Sequence, residues 1–157
     1  MRKRIIAQGQ TTALSPEPDW LNLEHLVEVE TTSEDSTHPI EHALLPDRTS
    51  GWRAAGPGKQ TIRILFDHPQ PLRRIWMQFE EPVAERTQEY VLRWSADHGK
   101  SYQDIVRQQW NFSPQGTTNE TADHHVDLPT VTILELNIIP DISGGRAVAS
   151  LAQLRLA

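Results

Sequence analysis

QTIRILFDHPQPLRRIWMQFE, residues 60–80, is the stretch of sequence that decides the fold. Apolar and polar residues alternate through its first part and again through its second part, which is the period of a half-buried strand. Because proline has no N–H to donate, Asp67–Pro71 predicts that one strand, Gln60–Asp67, ends there and that a second runs Leu72–Glu80. The residues predicted to face the core are Ile62, Ile64, Phe66, Ile75, Met77 and Phe79.

The same alternation recurs on both sides of this stretch, between turn signals. Asp97–Lys100 predicts a hairpin turn in which Gly99 adopts positive φ, and Pro39–Leu45 predicts one helical turn. The gaps are too short for crossover helices, which argues against a parallel α/β fold. The sequence predicts an all-β fold, an antiparallel two-sheet β-sandwich of jelly-roll type with about eight strands. The further predicted strands are Leu26–Thr31, Glu89–Ser95, Tyr102–Trp110, Thr121–Leu128, Thr132–Pro140 and Ser150–Leu156.

Length, charge and cysteine content limit the classes of function. The 157 residues suit one domain, which we place at residues 21–157, after a flexible arm at residues 1–20 with a short strand at Ile5-Ile6. The formal net charge of -6 argues against a nucleic-acid partner, and there is no cysteine for a disulfide. No stretch has the roughly 18 apolar residues of a membrane span. We expect a soluble, cytoplasmic protein with no membrane partner.

Four segments in order resemble the discoidin domains, also called coagulation-factor type C domains, of the galactose-binding-like superfamily. They are Asp47–Trp52, Gln60–Ile75, the strand and turn Tyr90–Tyr102, and the closing segment Ala149–Leu156. This family overlaps with bacterial carbohydrate-binding modules. The missing cysteines point to the bacterial branch of the family. The resemblance implies a β-sandwich that binds a ligand through loops at one end and catalyses no reaction.

The resemblance also implies a structural calcium ion in many relatives. Asp47 and Ser50 match the loop that supplies part of that site. The position of the glutamate that completes it in relatives carries Gln153 here, which offers a neutral amide oxygen. Calcium prefers several carboxylates among its six to eight oxygen ligands. We therefore state a calcium ion held by Asp47, Ser50 and Gln153 as an expectation to be tested.

Loop residues supply the candidate ligand-binding groups. Trp110 and Asn111 end a strand, where an indole ring could stack on a sugar and an amide could bind its hydroxyls, or Trp110 could pack under its own loop. Arg53 and His38 lie near Trp52, which we take as core. Arg53 either binds vicinal hydroxyls or covers that tryptophan. The other two candidates, in loops, are Arg86 and Arg146.

Two functions remain open on the sequence alone. The first is a carbohydrate-binding module. The second is a protein-interaction or scaffold domain, which predicts an exposed apolar patch or a dimer interface. Catalysis is not expected, because Glu80 and Glu81 are adjacent and point to opposite faces of a strand. His38 and His42 have metal-pair spacing, but Pro39 places His38 at or outside the end of any helix.

Overall fold

The computed structural model describes residues 19–47 and 50–157. The short strand expected at Ile5-Ile6 lies outside these residues. One short helix, α1 (Glu41–Leu44), occupies the predicted helical turn. The eight strands of the described residues are β1 Val27–Thr31, β2 Trp52–Pro57, β3 Gln60–Glu80, β4 Arg86–Ser95, β5 Gln103–Phe112, β6 Asn119–Ile139, β7 Val148–Leu151 and β8 Gln153–Leu156. The predicted antiparallel β-sandwich is confirmed.

Strands β3 and β6, each 21 residues long, form the frame of the sandwich. They pair antiparallel from Gln60↔Ile138 to Glu80↔Asn119. The first half of β3 and the second half of β6 lie in a sheet with the order β1-β3-β6-β4-β5. The second half of β3 pairs with β8 on its other side. Each long strand therefore contributes to both layers.

The proline segment of β3 does not end the strand, so the prediction of two separate strands was wrong. The pairing of β3 with β6 shifts register between Leu65 and Arg74, at the place where Pro69 and Pro71 stand exposed. Register shifts leave N–H positions unpaired, so proline is tolerated there, and they bend the strand. The same holds for β6, which continues through Pro129 where two strands were predicted. The bend carries each strand from one layer to the other.

The core lies between the two layers, on the faces that alternation predicts. All six residues expected to face inward in β3 are buried. Phe79 of β3 stacks on Tyr90 of β4 with ring centroids 5.3 Å apart, which shows the second half of β3 packing across the sandwich. Among the described residues, no helix has the length and hydrophobicity that crossing a bilayer requires.

The sequence predicted the β4–β5 turn correctly and the closing segment only in part. The β4–β5 turn is where it was expected, with Gly99 at φ 88° and His98 at φ 60°. The closing segment, predicted as one strand, is divided at Ala152. Its first part, β7, pairs with β2, and its second part, β8, pairs with β3. This division places β2 and β7 beside the end of β3, where a cleft forms.

Candidate functional site

A small cleft at one end of the sandwich brings His38 and Arg53 together. We call it the loop cleft, and its volume is about 170 Å³. The backbone N–H of Arg53 donates to the carbonyl of His38 at 3.1 Å, and the N–H of Asp35 donates to the carbonyl of Arg53 at 2.8 Å. These two bonds fasten the loop before α1 to strand β2. The lining residues are His38, Ser50, Trp52, Arg53, Glu80, Pro82, Ser150, Leu151 and Ala152.

Hydrogen bonds hold the loop that carries His38. The carboxylate of Asp35 accepts from the Thr37 N–H at 2.9 Å and from the Thr37 hydroxyl at 2.8 Å. These bonds lower the pKa of Asp35, with smaller contributions from the charges of His38 and Arg53. The Thr37 hydroxyl also lies 2.9 Å from Nδ1 of His38. Nε2 of His38 therefore remains as the ring nitrogen that a ligand could meet.

Two polar lining residues were not predicted from the sequence, Glu80 and Ser150. Arg53 and Ser150 are directly opposed in the pairing of β2 with β7. The Ser150 hydroxyl contacts the backbone carbonyl of Glu80 at 3.4 Å. Glu80 and its neighbour Glu81 diverge as expected, because Glu81 accepts from Arg86 while Glu80 lines the cleft. Only the strand pairing reveals this set, so a pattern within one segment could not have found it.

Trp52 forms part of the floor of the loop cleft. It is 1 % exposed, and its indole N–H donates to the carbonyl of Ser33 at 3.1 Å. The interpretation of Trp52 as a core residue is confirmed. Arg53 beside it is exposed, so its guanidinium is accessible from solvent. The loop cleft thus presents polar groups above a tryptophan that is packed in the core.

The other four predicted ligand residues do not line the loop cleft. Arg86 is buried, donating from Nε to Glu81 at 2.7 Å and from Nη1 to the Pro140 carbonyl at 2.6 Å. Its guanidinium also lies over the ring of Phe112 at 5.0 Å. Trp110 is half-buried against the core. Asn111 is exposed and accepts from Thr87, and Arg146 is exposed in the turn before β7.

Comparison with known proteins identifies the family. The family described as F5/8 type C domain matches residues 28–153. The chain belongs to this family. The match lies inside the domain that we placed at residues 21–157, and it covers most of the chain. No curated protein sequence is significantly similar to this F5/8 type C domain.

Solved structures share the fold of this F5/8 type C domain. A pectin-binding carbohydrate-binding module has a TM-score of 0.60 at 17 % identity, covering 84 % of this chain and 90 % of that one. The family 32 module of Clostridium perfringens NanJ, solved with galactose, has a TM-score of 0.64 at 14 % identity over 87 % and 96 %. A third module, from a family 31 glycoside hydrolase of Clostridium perfringens, has a TM-score of 0.64 at 17 % identity over 87 % and 93 %. At such identities these similarities establish the common fold.

The three residues expected to hold calcium in this F5/8 type C domain have different surroundings. Ser50 lines the loop cleft and is hydrogen-bonded to Nδ1 of His42. Asp47 lines a separate depression beside Arg155. Gln153 stands in β8 opposite Gln78. Within residues 19–47 and 50–157, no three His, Asp or Glu side chains cluster as metal ligands would.

A buried arginine binds the backbone carbonyl oxygens at the end of α1. Arg155 donates from Nη1 to the carbonyls of Ala43 at 2.8 Å and Leu154 at 2.7 Å, and from Nη2 to the carbonyl of Leu45 at 3.3 Å. Burial lowers the pKa of Arg155. A guanidinium already satisfies these oxygens and would repel a divalent cation. A calcium ion held by Asp47, Ser50 and Gln153 therefore gains no support from the described residues and stays a prediction.

A group of buried and half-buried polar side chains surrounds the Tyr90 hydroxyl and Glu120, and sequence reasoning missed it. The Tyr90 hydroxyl lies 2.9 Å from both Gln108 Oε1 and His124 Nε2. Glu120 is 2 % exposed, and neither of its carboxylate oxygens has a hydrogen-bond partner among the described residues. The indole nitrogen of Trp110 is likewise buried without a partner. Burial raises the pKa of Glu120 to about 7.

The described surface does not show the apolar patch that the protein-interaction alternative predicts. Among the residues that the structure describes, the large hydrophobic side chains that are exposed are Val83 and Ile142. Single exposed apolar residues are normal on a soluble domain. This alternative therefore receives no support from the surface composition.

Proposed function

We propose that this F5/8 type C domain is a non-catalytic carbohydrate-binding module and that the loop cleft holds the sugar. The observation that carries the proposal is the placement of His38 and Arg53, both expected from the sequence as ligand residues near Trp52, in one cleft. Two structures with the same fold support it, because one is a pectin-binding module and the other was solved with galactose. The proposed ligand is a neutral sugar at the end of a glycan.

The polar groups of the loop cleft suit hydroxyl groups. The planar guanidinium of Arg53 can donate to two neighbouring hydroxyls at once. The carboxylate of Glu80 accepts hydrogen bonds, and Ser150 can donate or accept. The volume of about 170 Å³ is below the roughly 300–1,000 Å³ of a drug-sized pocket. The cleft therefore fits one sugar unit better than a long segment of chain.

The loop cleft lacks the arrangement that glycoside hydrolysis needs. Glycosidases generally place two carboxyl groups on either side of the scissile bond. Among the described residues that line the cleft, Glu80 is the sole carboxylate. Binding without hydrolysis is the function that this set of groups supports.

The proposal gives no role to calcium and leaves the cellular location as a prediction. The Arg155 guanidinium takes the carbonyl oxygens beside α1, so we expect binding and folding to proceed without the ion. The cytoplasmic location expected from the sequence, the bacterial origin and the flexible arm at residues 1–20 stay predictions.

Titration followed by two-dimensional amide NMR tests the proposal. Galactose is added to the whole chain, with calcium and then with a chelator, up to about 50 mM because single-site sugar affinities are often millimolar. We expect saturable shifts at Arg53, His38 and Glu80 that do not depend on calcium. Arg53→Ala should weaken binding by about tenfold or more, which corresponds to about 1.4 kcal/mol.

Arg146→Ala is the matched control, because it removes an equally exposed arginine that lies outside the loop cleft. It should bind galactose as the unaltered chain does. The proposal fails if a panel of neutral sugars moves no peak at the loop cleft. It also fails if Arg146→Ala weakens binding as much as Arg53→Ala.

A further inference from the structure

A second, larger cleft lies on the outer face of the sheet that contains β4, β5 and parts of β3 and β6. We call it the sheet-face cleft, and its volume is about 470 Å³. It shares no lining residue with the loop cleft. Strands form most of its walls, so its side chains stand on rigid backbone. Its main polar residues are Lys59, Arg63, Arg93, Arg107, Glu135 and Asn137.

A buried carboxylate forms part of the floor of the sheet-face cleft. The side chain of Glu135 is 1 % exposed although it belongs to the outer face. It accepts from Arg63 Nε at 2.8 Å, from Arg93 Nε at 2.9 Å and Nη2 at 2.7 Å, and from Asn137 at 2.6 Å. Its acceptor capacity is thus taken up by the protein. What Glu135 does is hold two guanidinium groups in place.

Both guanidinium groups keep N–H donors that Glu135 does not use. A guanidinium has five N–H groups. Arg63 donates one of them, from Nε, to Glu135. Its Nη1 lies 3.7 Å from Glu30 Oε1, which is longer than a hydrogen bond. Arg93 donates to Glu135 from Nε and Nη2 only. The side chains are 42 % and 35 % exposed, so the remaining donors can meet a ligand from solvent.

The charge of the sheet-face cleft differs from that of the whole chain. Four cations and three carboxylates line it, in a chain whose formal net charge is -6. One of the three carboxylates, Glu135, lies between two arginines, and Glu89 lies 3.3 Å from Arg107. The third carboxylate is Asp104, so the lining carries one net positive charge. A bound oxyanion would find preorganised, charge-assisted donors there.

The sheet-face cleft does not offer an aromatic platform. None of its described lining residues is aromatic, and the nearby Tyr102 ring is covered by Arg93 at 4.4 Å. The main donors that this cleft does offer are guanidinium N–H groups. A sugar that carries a carboxylate would gain instead from the guanidinium donors. The chemistry favours an acidic ligand.

We propose that the sheet-face cleft is a second carbohydrate subsite that takes a sugar acid, with the carboxylate bound by Arg63 and Arg93. Lys59 at the rim adds a further positive charge, and Asn137 is fixed for hydroxyl contact by the hydrogen bond that it accepts from Thr61 at 2.6 Å. The proposal rests on the proposed function only in taking the ligand to be a saccharide. The two sites are spatially separate, so each can fail without the other.

The test compares galacturonate with galactose, which differ at one carboxylate, by amide NMR on the whole chain. Galacturonate should shift the amides of Arg63, Arg93 and Asn137, whereas galactose should shift only the loop cleft. Arg93→Lys keeps the positive charge but removes the planar guanidinium that can donate two parallel hydrogen bonds to a carboxylate. It should weaken galacturonate binding by about tenfold. Lys59→Gln alters an exposed rim residue that holds no other group and should weaken binding by about threefold.

Arg146→Ala serves as the control, because it removes an exposed arginine that lines neither cleft and should leave galacturonate binding unchanged. Sodium acetate at equal concentration and ionic strength separates a sugar-acid site from a general anion site. The proposal is overturned if galacturonate moves no amide of the sheet-face cleft. It is also overturned if acetate binds there as tightly as galacturonate, or if both Arg93→Lys and Lys59→Gln bind galacturonate without loss.

Discussion

Strand β6 carries two buried glutamates near its opposite ends, and they differ in their hydrogen-bond partners and in the direction of their pKa shifts. Glu135 is 1 % exposed and accepts hydrogen bonds from two arginines and an asparagine. Glu120 is 2 % exposed and has no hydrogen-bond partner among the described residues. Burial alone therefore does not decide the charge state of a carboxyl group here. The partners decide it.

The two glutamates have pKa values that move in opposite directions. Burial acts to raise the pKa of Glu135, but the hydrogen bonds from Arg63, Asn137 and Arg93 outweigh it and lower the pKa below its ordinary value. For Glu120 burial acts unopposed and raises the pKa to about 7. Glu135 is thus an ionised carboxylate that organises the sheet-face cleft. Glu120 takes up a proton near neutral pH, because the interior stabilises its uncharged form.

The largest effect is expected when Glu135 loses its arginine partners and so has surroundings like those of Glu120. The double variant Arg63→Met, Arg93→Met removes both counter-charges and should lower the free energy of unfolding at pH 7 by about 4 kcal/mol, because a buried carboxylate loses its compensation. Urea denaturation followed by tryptophan fluorescence measures this change. A loss below about 1 kcal/mol would show that the arginines do not stabilise the charge of Glu135.

The second test removes the ionisable proton of Glu120. Its pKa rises from an ordinary 4.5 to about 7 on folding, so the unfolded chain ionises first as the pH increases. The cost to stability therefore grows between pH 4.5 and 7 and is complete above pH 7, reaching about 3 kcal/mol at 1.36 kcal/mol per pKa unit. Glu120→Gln should be more stable than the unaltered chain by about that amount at pH 8, with little difference at pH 4.5.

Glu135→Gln is the matched control for Glu120→Gln and should show the opposite sign. Because folding lowers the pKa of Glu135, its ionised form contributes stability above pH 4.5, and this contribution is lost as the pH falls through the folded pKa. The variant should be less stable than the unaltered chain at pH 8, and the gap should narrow on acidification. If both glutamine variants changed stability in the same direction at pH 8, the contrast between the two sites would be refuted.

The smallest expected effect comes from an ion pair that is not buried. Arg73 and Asp127 lie 3.6 Å apart, with side chains 75 % and 84 % exposed. Water and salt screen such a pair, so Asp127→Asn should change the free energy of unfolding by less than about 0.5 kcal/mol. The same urea measurement checks it. Suppose instead that Asp127→Asn lowered the free energy of unfolding as much as the Arg63, Arg93 double variant. Burial would then not be the reason that the ion pairs of Glu135 stabilise the fold.

Sequence reasoning predicted the strands well and their continuity poorly. Alternation identified the inward faces of β3, and the turn at Gly99 lies where its glycine was expected. Pro69 and Pro71 were interpreted as a strand end, yet β3 runs past them because its pairing shifts register there. The bend depends on β6, a strand that the proline segment itself does not specify. The two prolines indicate that the strand is irregular at this place. They do not indicate whether the strand ends there or continues with a shifted register.

The candidate site was predicted in part for the same reason. His38 and Arg53 were chosen as loop residues near a core tryptophan, and the fold brings them together. Arg86 was also chosen as a loop arginine, but it lies at the start of β4 with its guanidinium bound to Glu81 and the Pro140 carbonyl. An exposed arginine and a buried one look alike in sequence. The carbonyl that accepts from Arg86 belongs to Pro140, which follows β6 and is far from Arg86 in the chain.

The sequence by itself determined which faces of the strands are buried, because a strand has a side-chain period of two and that period can be detected within a few residues. It also determined the family through motifs in order along the chain. Only the tertiary structure decided which residues share a cleft, since Arg53 meets Ser150 through the pairing of two strands far apart in the chain. It alone decided that Glu135 is partnered and Glu120 is not, because hydrogen-bond partners and exclusion of water arise only when the layers pack.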